Sequence, residues 1–359
     1  MRVLVVNAGS SSLKLSVLHD DRLVDSTSVP AGADGWAPEE LARFCDRIEV
    51  DAVGHRVVHG GELYAAPVLV DAAVRRTLED LTALAPLHQP KSLAGMDAVT
   101  ELLPGVPAVA SFDTAFHATM PAAATTYALP REWRERWGLR RFGFHGLSHA
   151  YASRRVAELI GSTQLKVVIC HLGAGASLCA VRNGASVDTT MGFTPLEGLV
   201  MATRSGSVDP GLLLWLLERT DLSESELAEA LEHRSGLLGL SGTKDMADLV
   251  ERADTGDDVA SLALDVYAHR VCTGIGAMAA SMAGIDALVF TGGVGERSAT
   301  VRERVCAGLD FLGVDIDRDR RAPGSGDAEI GRDDARVRTF VIAAREDLEV
   351  ARGVRELLQ

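Results

Sequence analysis

No stretch of the chain reaches the roughly 18 consecutive apolar residues that a membrane-spanning helix needs, so no membrane association is expected. An N-terminal apolar region with a small-residue cleavage site is also missing, and the expected compartment is the cytoplasm. Cysteine is sparse: five residues, an odd number, with no CxxC spacing. Cys170 and Cys179 sit in apolar strand patterns and Cys272 and Cys306 in helical ones. They read as reduced core thiols, which argues against a disulfide framework or a thiolate metal site. Positive charge is in deficit, with 36 Lys and Arg against 50 Asp and Glu and a net charge of -14. That balance disfavours non-specific nucleic-acid binding. An acidic chain that handles anions must concentrate positive charge locally, and Lys14, Arg56 and Arg204 are the candidates. No low-complexity linker occurs. Trp36, Trp133, Trp137 and Trp215 follow no regular spacing and read as packing residues.

What is present points to duplication. A length of 359 residues suggests about two domains. Val3–Val6 is an apolar run, Asn7–Ser12 a small-residue turn, and Leu13–Leu18 a second run that leads through Asp20-Asp21 into a third strand. The layout returns in Val167–Cys170, Gly173-Ala174-Gly175-Ala176-Ser177, Leu178–Val181 and the hairpin signal Asn183-Gly184. Small residues let backbone N–H groups approach phosphate oxygens, and Ser hydroxyls add donors. Each loop is therefore either an ordinary hairpin turn or one of two grips on a phosphate-bearing ligand, with Lys14 adding charge to the first copy.

Strand and helix signals alternate along the rest, which argues for α/β architecture. Strands are expected at 52–58, 106–112, 287–291 and 339–343. Helices are expected at 71–85, 91–102, 146–160, 209–219, 223–233, 257–284, 298–308 and the C-terminus. The Gly-, Asp- and Arg-rich stretch 318–335 reads as a surface loop, and a compact hinge is expected near 114–145. Polar residues collect where strands run into small-residue loops, which is where α/β proteins place ligands: Arg56, His59, Asp113, His171, Arg204 and Glu296. No neighbouring carboxylate in the sequence obviously pairs with Arg204. Gly293-Val294-Gly295 alone binds a phosphate, binds adenosine or simply turns the chain. The run Arg140–His149 packs two Arg, two Phe, two Gly and two His into ten residues. It is either a helix N-terminus or a functional cluster.

Taken together, these motifs resemble the acetate kinase family, the short-chain acyl kinases of the actin-like sugar-kinase superfamily. The resemblance rests on Asn7–Lys14, Gly54–Gly61, Leu84–His88, Phe112–His117, Arg140–His149 and Asp188–Gly206. It covers essentially the whole chain. It implies two duplicated actin-like (ribonuclease H-like) domains with mixed sheets and a cleft between them. One would span 1–117 plus the C-terminal helix 348–359, and the other, 118–347, would carry the nucleotide. The implied reaction takes ATP and acetate, or a similar short-chain carboxylate such as propionate, reversibly to ADP and an acyl phosphate, with Mg²⁺. Within that family Arg56 and Arg204 would hold the carboxylate and the phosphoryl group, and His145 would stabilise the transition state. Asp113 and Glu346 would govern Mg²⁺ and geometry, with Asn7 and Glu346 as its ligands. Asn7, Ser10, Ser12 and Lys14 would contact phosphates. Val58, Leu87, Phe144 and Pro195 would form the acyl pocket. The nucleotide would lie against His171, Leu172, Gly173, Ala174, Gly175, Asp245, Gly293, Val294, Gly295, Glu296 and Arg297. A homodimer is implied as well.

The departures from the family pattern lie on the nucleotide side. Ala174 stands where Asn is usual, Ala247 where an Arg lies against adenine, Arg297 where Asn follows Gly-x-Gly-Glu, and Ala344-Arg345-Glu346-Asp347 where the family has Thr-Asn-Glu-Glu. Two other readings therefore stay open at this level. One keeps the chemistry with another donor such as pyrophosphate. The other is a non-catalytic sensor of acyl phosphate or nucleotide, against which the joint retention of Arg56, Asp113, His145, Arg204 and Glu346 counts.

Overall fold

The computed structural model describes residues 1–9, 12–32, 35–86, 88–320 and 326–359. They group into two units. Unit 1 holds Met1–Ala118, Phe144–Tyr151 and Arg345–Gln359, and unit 2 holds Thr119–Gly143 and Ala152–Ala344.

The sheet of unit 1 is built from β1 (Arg2–Ala8), β2 (Ser12–His19), β3 (Arg22–Gly32), β4 (Gly35–Trp36), β5 (Ala52–Val57), β6 (Val68–Leu69) and β7 (Ala108–Phe112). Its order is β4-β3-β2-β1-β5-β7-β6. The first three strands are antiparallel neighbours, while β1, β5 and β7 run parallel and β6 closes the edge antiparallel. Alternate residues of β1 serve opposite faces, as a two-residue side-chain period requires. Leu4 and Val6 join Leu13, Leu15, Leu41, Phe44 and Val99. Val3 and Val5 join Ala52, Val109 and the Val350, Ala351 and Val354 side chains of the C-terminal helix Glu346–Leu358. Cover on both faces explains why β1 reads as one unbroken apolar run. The C-terminal helix comes so close to β5 that a Cβ on Gly54 would lie 2.6 Å from Val350 Cγ1 and 2.8 Å from Val354 Cγ2.

The sheet of unit 2 is built from β8 (Lys166–Leu172), β9 (Ala176–Arg182), β10 (Ala185–Thr189), β11 (Ala287–Thr291), β12 (Ala328–Glu329) and β13 (Arg338–Val341), in the order β10-β9-β8-β11-β13-β12. It repeats unit 1 place by place. β8–β10 form antiparallel hairpins, β8, β11 and β13 run parallel, and β12 closes the edge antiparallel. Asn183 (φ 53°) and Gly184 (φ 80°) make the two-residue turn with both residues in the left-handed region. Helix Asp258–Ser281, capped by the Asp257 carboxylate on the N–H groups of Val259 and Ala260, lies along these strands and buries Leu264, Tyr267, Val271 and Ile275. The expected duplicated α/β fold is thus the observed one.

Local expectations are corrected in three places. The stretch 318–335 is not wholly a loop. It carries edge strand β12, held to β13 by two hydrogen bonds from the Arg338 guanidinium to Glu329 (2.7 and 2.6 Å). Trp133, Trp137 and Trp215 are about half exposed rather than packed. Helices Pro38–Cys45, Arg131–Trp137 and Met246–Asp254 form where no helix is expected. All five cysteines are free thiols, four of them buried and Cys272 half-buried.

Candidate active site

In unit 1 the carboxyl ends of three adjacent parallel strands bring the site together. Asn7 near the end of β1 stands in register with Arg56 near the end of β5. Asp113 follows β7, its N–H bonded to the Val57 carbonyl at 3.1 Å. Arg56 donates from Nε to Asp113 Oδ1 at 2.9 Å and from Nη2 to Asp113 Oδ2 at 2.5 Å. Its Nη1 donates to Asn7 Oδ1 at 3.0 Å. Asn7 Nδ2 donates to Glu346 Oε2 at 3.2 Å, and that oxygen lies 3.7 Å from Arg56 Nε. Glu346 opens the C-terminal helix, so the helix that fills the core also supplies a site carboxylate.

Asp113 is buried, and burial pushes its carboxyl above the usual carboxylate range while the Arg56 guanidinium opposes the shift. For Arg56 burial acts to lower the pKa, but Asp113 and Glu346 outweigh it and raise the value. The guanidinium is therefore charged at every pH at which the protein is folded. A two-pronged Arg–carboxylate pair fixes both position and plane, which leaves the fork rigid for an incoming anion.

His145, whose following residue is bonded to Asp113, has a left-handed backbone, φ 57°. That region is uncommon for a residue with a Cβ and marks a position worth functional attention. The following residue begins helix Gly146–Ile160, and the Gly146 N–H donates to the Asp113 carbonyl at 2.8 Å. Phe144 and Val58 are both buried. Phe144 lies edge-on to His59 with ring centroids 5.5 Å apart. A His117 ring nitrogen contacts the Phe144 carbonyl at 3.0 Å. Sequence reasoning missed His117, whose only signal was its place in the Phe112–His117 motif. Lys14 is exposed and opposite Asn7 in the β1–β2 register. The Gly9 N–H bonds the Ser12 carbonyl at 2.9 Å and closes the first loop. Ser10 and Leu87, both expected in the site, lie outside the described residues.

In unit 2 the equivalent strand ends carry the second loop. His171 and Leu172 finish β8, and the Gly173 N–H bonds the Gly175 carbonyl at 2.9 Å across Ala174. Thr291 of β11 pairs with His171, and the short helix Gly292–Arg297 follows at once. A Cβ on Gly292 would fall 2.7 Å from the Leu172 carbonyl oxygen, so the two segments touch. The buried Arg302 guanidinium, another residue the sequence did not reveal, donates to the carbonyls of Gly295 and Glu296 (2.8 and 2.9 Å). Glu296 Oε1 accepts from the Ala344 N–H at 3.0 Å. Arg297 folds back so that its Nη2 lies 3.3 Å from where a Gly293 Cβ would be. Val294 lies between these anchors. Asp245, by contrast, uses its carboxylate to cap helix Met246–Asp254, accepting from the N–H groups of Ala247 and Asp248.

Arg204 in unit 2 donates from Nη1 to the Pro195 carbonyl at 2.8 Å. The expectation that no carboxylate accompanies it is corrected: Glu232 Oε2 stands 3.9 Å from Arg204 Nε. Burial lowers the Arg204 pKa, with Glu232 acting against it.

Residues 39–352 match the sequence profile of the Acetokinase family. The chain belongs to this family. It is 43% identical over 399 aligned residues to a protein of Thermotoga maritima named acetate kinase, covering 100% of this chain and 99% of that one. The crystal structure of Porphyromonas gingivalis acetate kinase superposes with a TM-score of 0.91 at 35% identity and covers all of both chains. That of a Francisella tularensis propionate kinase gives 0.90 at 34% identity with 98% of each covered. These relatives do not favour an alternative phosphoryl donor or a non-catalytic sensor. For a member of the acetokinase family the implied Mg²⁺ fits the chemistry of unit 1. The Glu346 carboxylate and the Asn7 side-chain oxygen are hard donors of the kind Mg²⁺ takes in small number while keeping water ligands. The charges of Arg56, Asp113 and Glu346 sum to one negative, which suits an added cation. Among the described residues no group of three or more His, Cys, Asp or Glu is arranged to hold a metal ion.

Proposed function

We propose that this protein is an acetate kinase that transfers the γ-phosphoryl group of ATP to acetate, reversibly, giving ADP and acetyl phosphate. The observation that carries the reading is the Arg56 guanidinium, pinned by Asp113 and Asn7 at the carboxyl edge of three parallel strands. A carboxylate oxygen attacks the γ-phosphorus, the bond from that phosphorus to the bridging oxygen breaks, and the electron pair leaves on ADP. No proton needs to move, so catalysis rests on positioning and charge neutralisation. Arg56 orients the carboxylate with its fixed fork. Arg204 and His145 meet the charge that develops on the equatorial phosphoryl oxygens. We assign the buried Val58 and Phe144 of unit 1 to the apolar wall for the acyl methyl, with Leu87 and Pro195 assigned to it from the family resemblance alone. Asn7 and Glu346 would hold Mg²⁺, with Asp113 setting their geometry, and the ion when bound would supply charge neutralisation on the phosphate oxygens. Residues 1–117 with helix 348–359 are proposed as the acyl-kinase domain, supplying Asn7, Arg56, Val58 and Asp113, and 118–347 as the domain that carries the nucleotide, through His171–Gly175, Asp245 and Gly293–Arg297. Ser10, Ser12 and Lys14 contact phosphate.

Propionate is a plausible second acceptor on one specific ground, the likeness to the Francisella enzyme. One or two methylenes change pocket affinity by only about 1–3 kcal/mol. A homodimer is proposed too, and the exposed Leu212, Leu214 and Trp215 on helix Pro210–Arg219 support an apolar contact. The proposed compartment is the cytoplasm; among the described residues no helix is long and apolar enough to cross a membrane. Trapping acyl hydroxamate from acetate, ATP, Mg²⁺ and hydroxylamine tests the activity. Hydroxamate formation with ATP is expected; its absence with ATP, or formation only with pyrophosphate, overturns the reading.

A further inference from the structure

Residues Met191–Gly198 of unit 2 form neither helix nor strand, yet side chains hold them on two sides. Arg141 Nη1 donates to three successive carbonyls, those of Thr189, Thr190 and Met191, at 3.2, 3.2 and 2.8 Å. Its Nη2 donates to Glu197 Oε1 at 2.6 Å. The Tyr127 hydroxyl donates to Glu197 Oε2 at 2.6 Å and accepts from the Phe193 N–H at 2.8 Å. The Glu197 carboxylate therefore lies across the backbone of its own segment. Only glycine permits this at position 192, where a Cβ would sit 1.7 Å from Glu197 Oε2 and 2.3 Å from the Tyr127 oxygen. The Gly192 carbonyl is held in turn by the N–H groups of Phe142 and Gly143 (3.1 and 3.2 Å).

Pro195 stands between the two anchored residues, Phe193 and Glu197. Its ring fixes φ, and the anchors at Phe193 and Glu197, with the Leu196 N–H bonded to Thr194 Oγ1 at 3.3 Å, restrict the peptide that carries its carbonyl. That carbonyl is the hydrogen-bond acceptor for Arg204 Nη1 at 2.8 Å, much closer than the ionic contact to Glu232 at 3.9 Å. The aim of the Arg204 guanidinium is set there.

We propose that Glu197, clamped by Arg141 and Tyr127, is a positioning residue for Arg204. Through the Pro195 carbonyl it fixes the direction in which the guanidinium meets the phosphoryl group. The inference rests on the proposed catalytic role of Arg204. The bonds that make the clamp are charge-assisted, the class with the strongest geometric control. Small misplacements of a catalytic group are costly, on the order of 100-fold for about 1 Å.

A kinetic double-mutant cycle on the full chain tests this. Glu197→Gln keeps the shape of the side chain and an acceptor for Tyr127 but removes the charge that binds Arg141. It is expected to lower kcat about tenfold or more while KM for ATP moves less than about twofold. In an Arg204→Ala background the same substitution is expected to leave kcat nearly unchanged, because it acts through a group already removed. Tyr127→Phe, which deletes one hydroxyl, gives the same cycle if Glu197→Gln does not fold. Losses that multiply in the double variant overturn the positioning role and leave the function of Arg204 intact. An Arg204→Ala protein with undiminished kcat overturns the catalytic reading of Arg204 and this proposal with it.

Discussion

At the scale of single residues, the two arginines are expected to fail differently. Arg204 is held by one carbonyl and a distant carboxylate, so its removal leaves little stranded in the protein. Arg204→Ala is expected to lower kcat 100-fold or more, on the order of 3 kcal/mol. Steady-state kinetics check this, and a raised KM at unchanged kcat would instead mean uniform binding. Arg56 is different because Asp113 is buried against it. Arg56→Ala is expected to raise KM for acetate more than His145→Ala does. It is also expected to cost about 3–5 kcal/mol of stability, the usual result of stranding one half of a buried ion pair. Thermal melts of the two variants separate these effects, and an Arg56→Ala protein as stable as its parent would contradict the pairing as described.

At the scale of elements, much was legible in the sequence and the reasons are physical. The hairpins announced themselves through Asn183-Gly184 and Asp20-Asp21, since few residue pairs accept left-handed backbone; Asp20, Asn183 and Gly184 all adopt it. Strands β1 and β11 stood out as apolar runs because both their faces are covered. Arg56 and Asp113 were visible as polar residues at strand ends. The clamp of Arg141, Glu197 and Tyr127 was not, because its members lie up to 70 residues apart with no period connecting them. Strand β12 has two residues and no pattern to show. Helix Met246–Asp254 follows Asp245, which is proposed to lie against the nucleotide. Ala247 sits in its first turn, where Asp245 is engaged in capping, while Arg297 folds over Gly293 beside the second loop. With no arginine at 247 to lie over a base, and a cation close to where phosphates are proposed, discrimination among nucleotides is expected to be shallow. The ratio of kcat/KM for ATP over GTP should stay below about 100, or some 2.7 kcal/mol. Side-by-side assays with ATP, GTP and CTP decide this, and a larger preference for ATP would reveal base recognition by another route.

At the scale of the whole molecule, the interior sets an acid limit. Burial holds His55 and His59 at a pKa of about 4. It lowers His117 to the same value against the hydrogen bond that its ring makes to the Phe144 carbonyl. The unfolded chain takes up these protons near pH 6.5 and the folded chain only near 4. Stability is therefore full above about pH 6.5 and is lost as pH falls through that window. Neither His55 ring nitrogen has a hydrogen-bond partner, so this side chain works as an apolar filler that can acquire a charge. His55→Phe is expected to recover on the order of 2 kcal/mol of the acid loss at pH 5, read as a smaller drop in Tm between pH 7.5 and pH 5. An unchanged drop would place the acid sensitivity elsewhere.

Unit 1 is assembled from three separated pieces of chain, the last of them residues 345–359. During synthesis its sheet emerges first, but Val350, Ala351 and Val354 are still missing from one face, and Glu346 from the cluster around Arg56. A ribosome stalled between codons 113 and 345 would hold a chain with an open apolar face and three residues of the cluster without the fourth. Chains not yet extended through residues 345–359 would thus expose an apolar surface for chaperones and proteases to recognise.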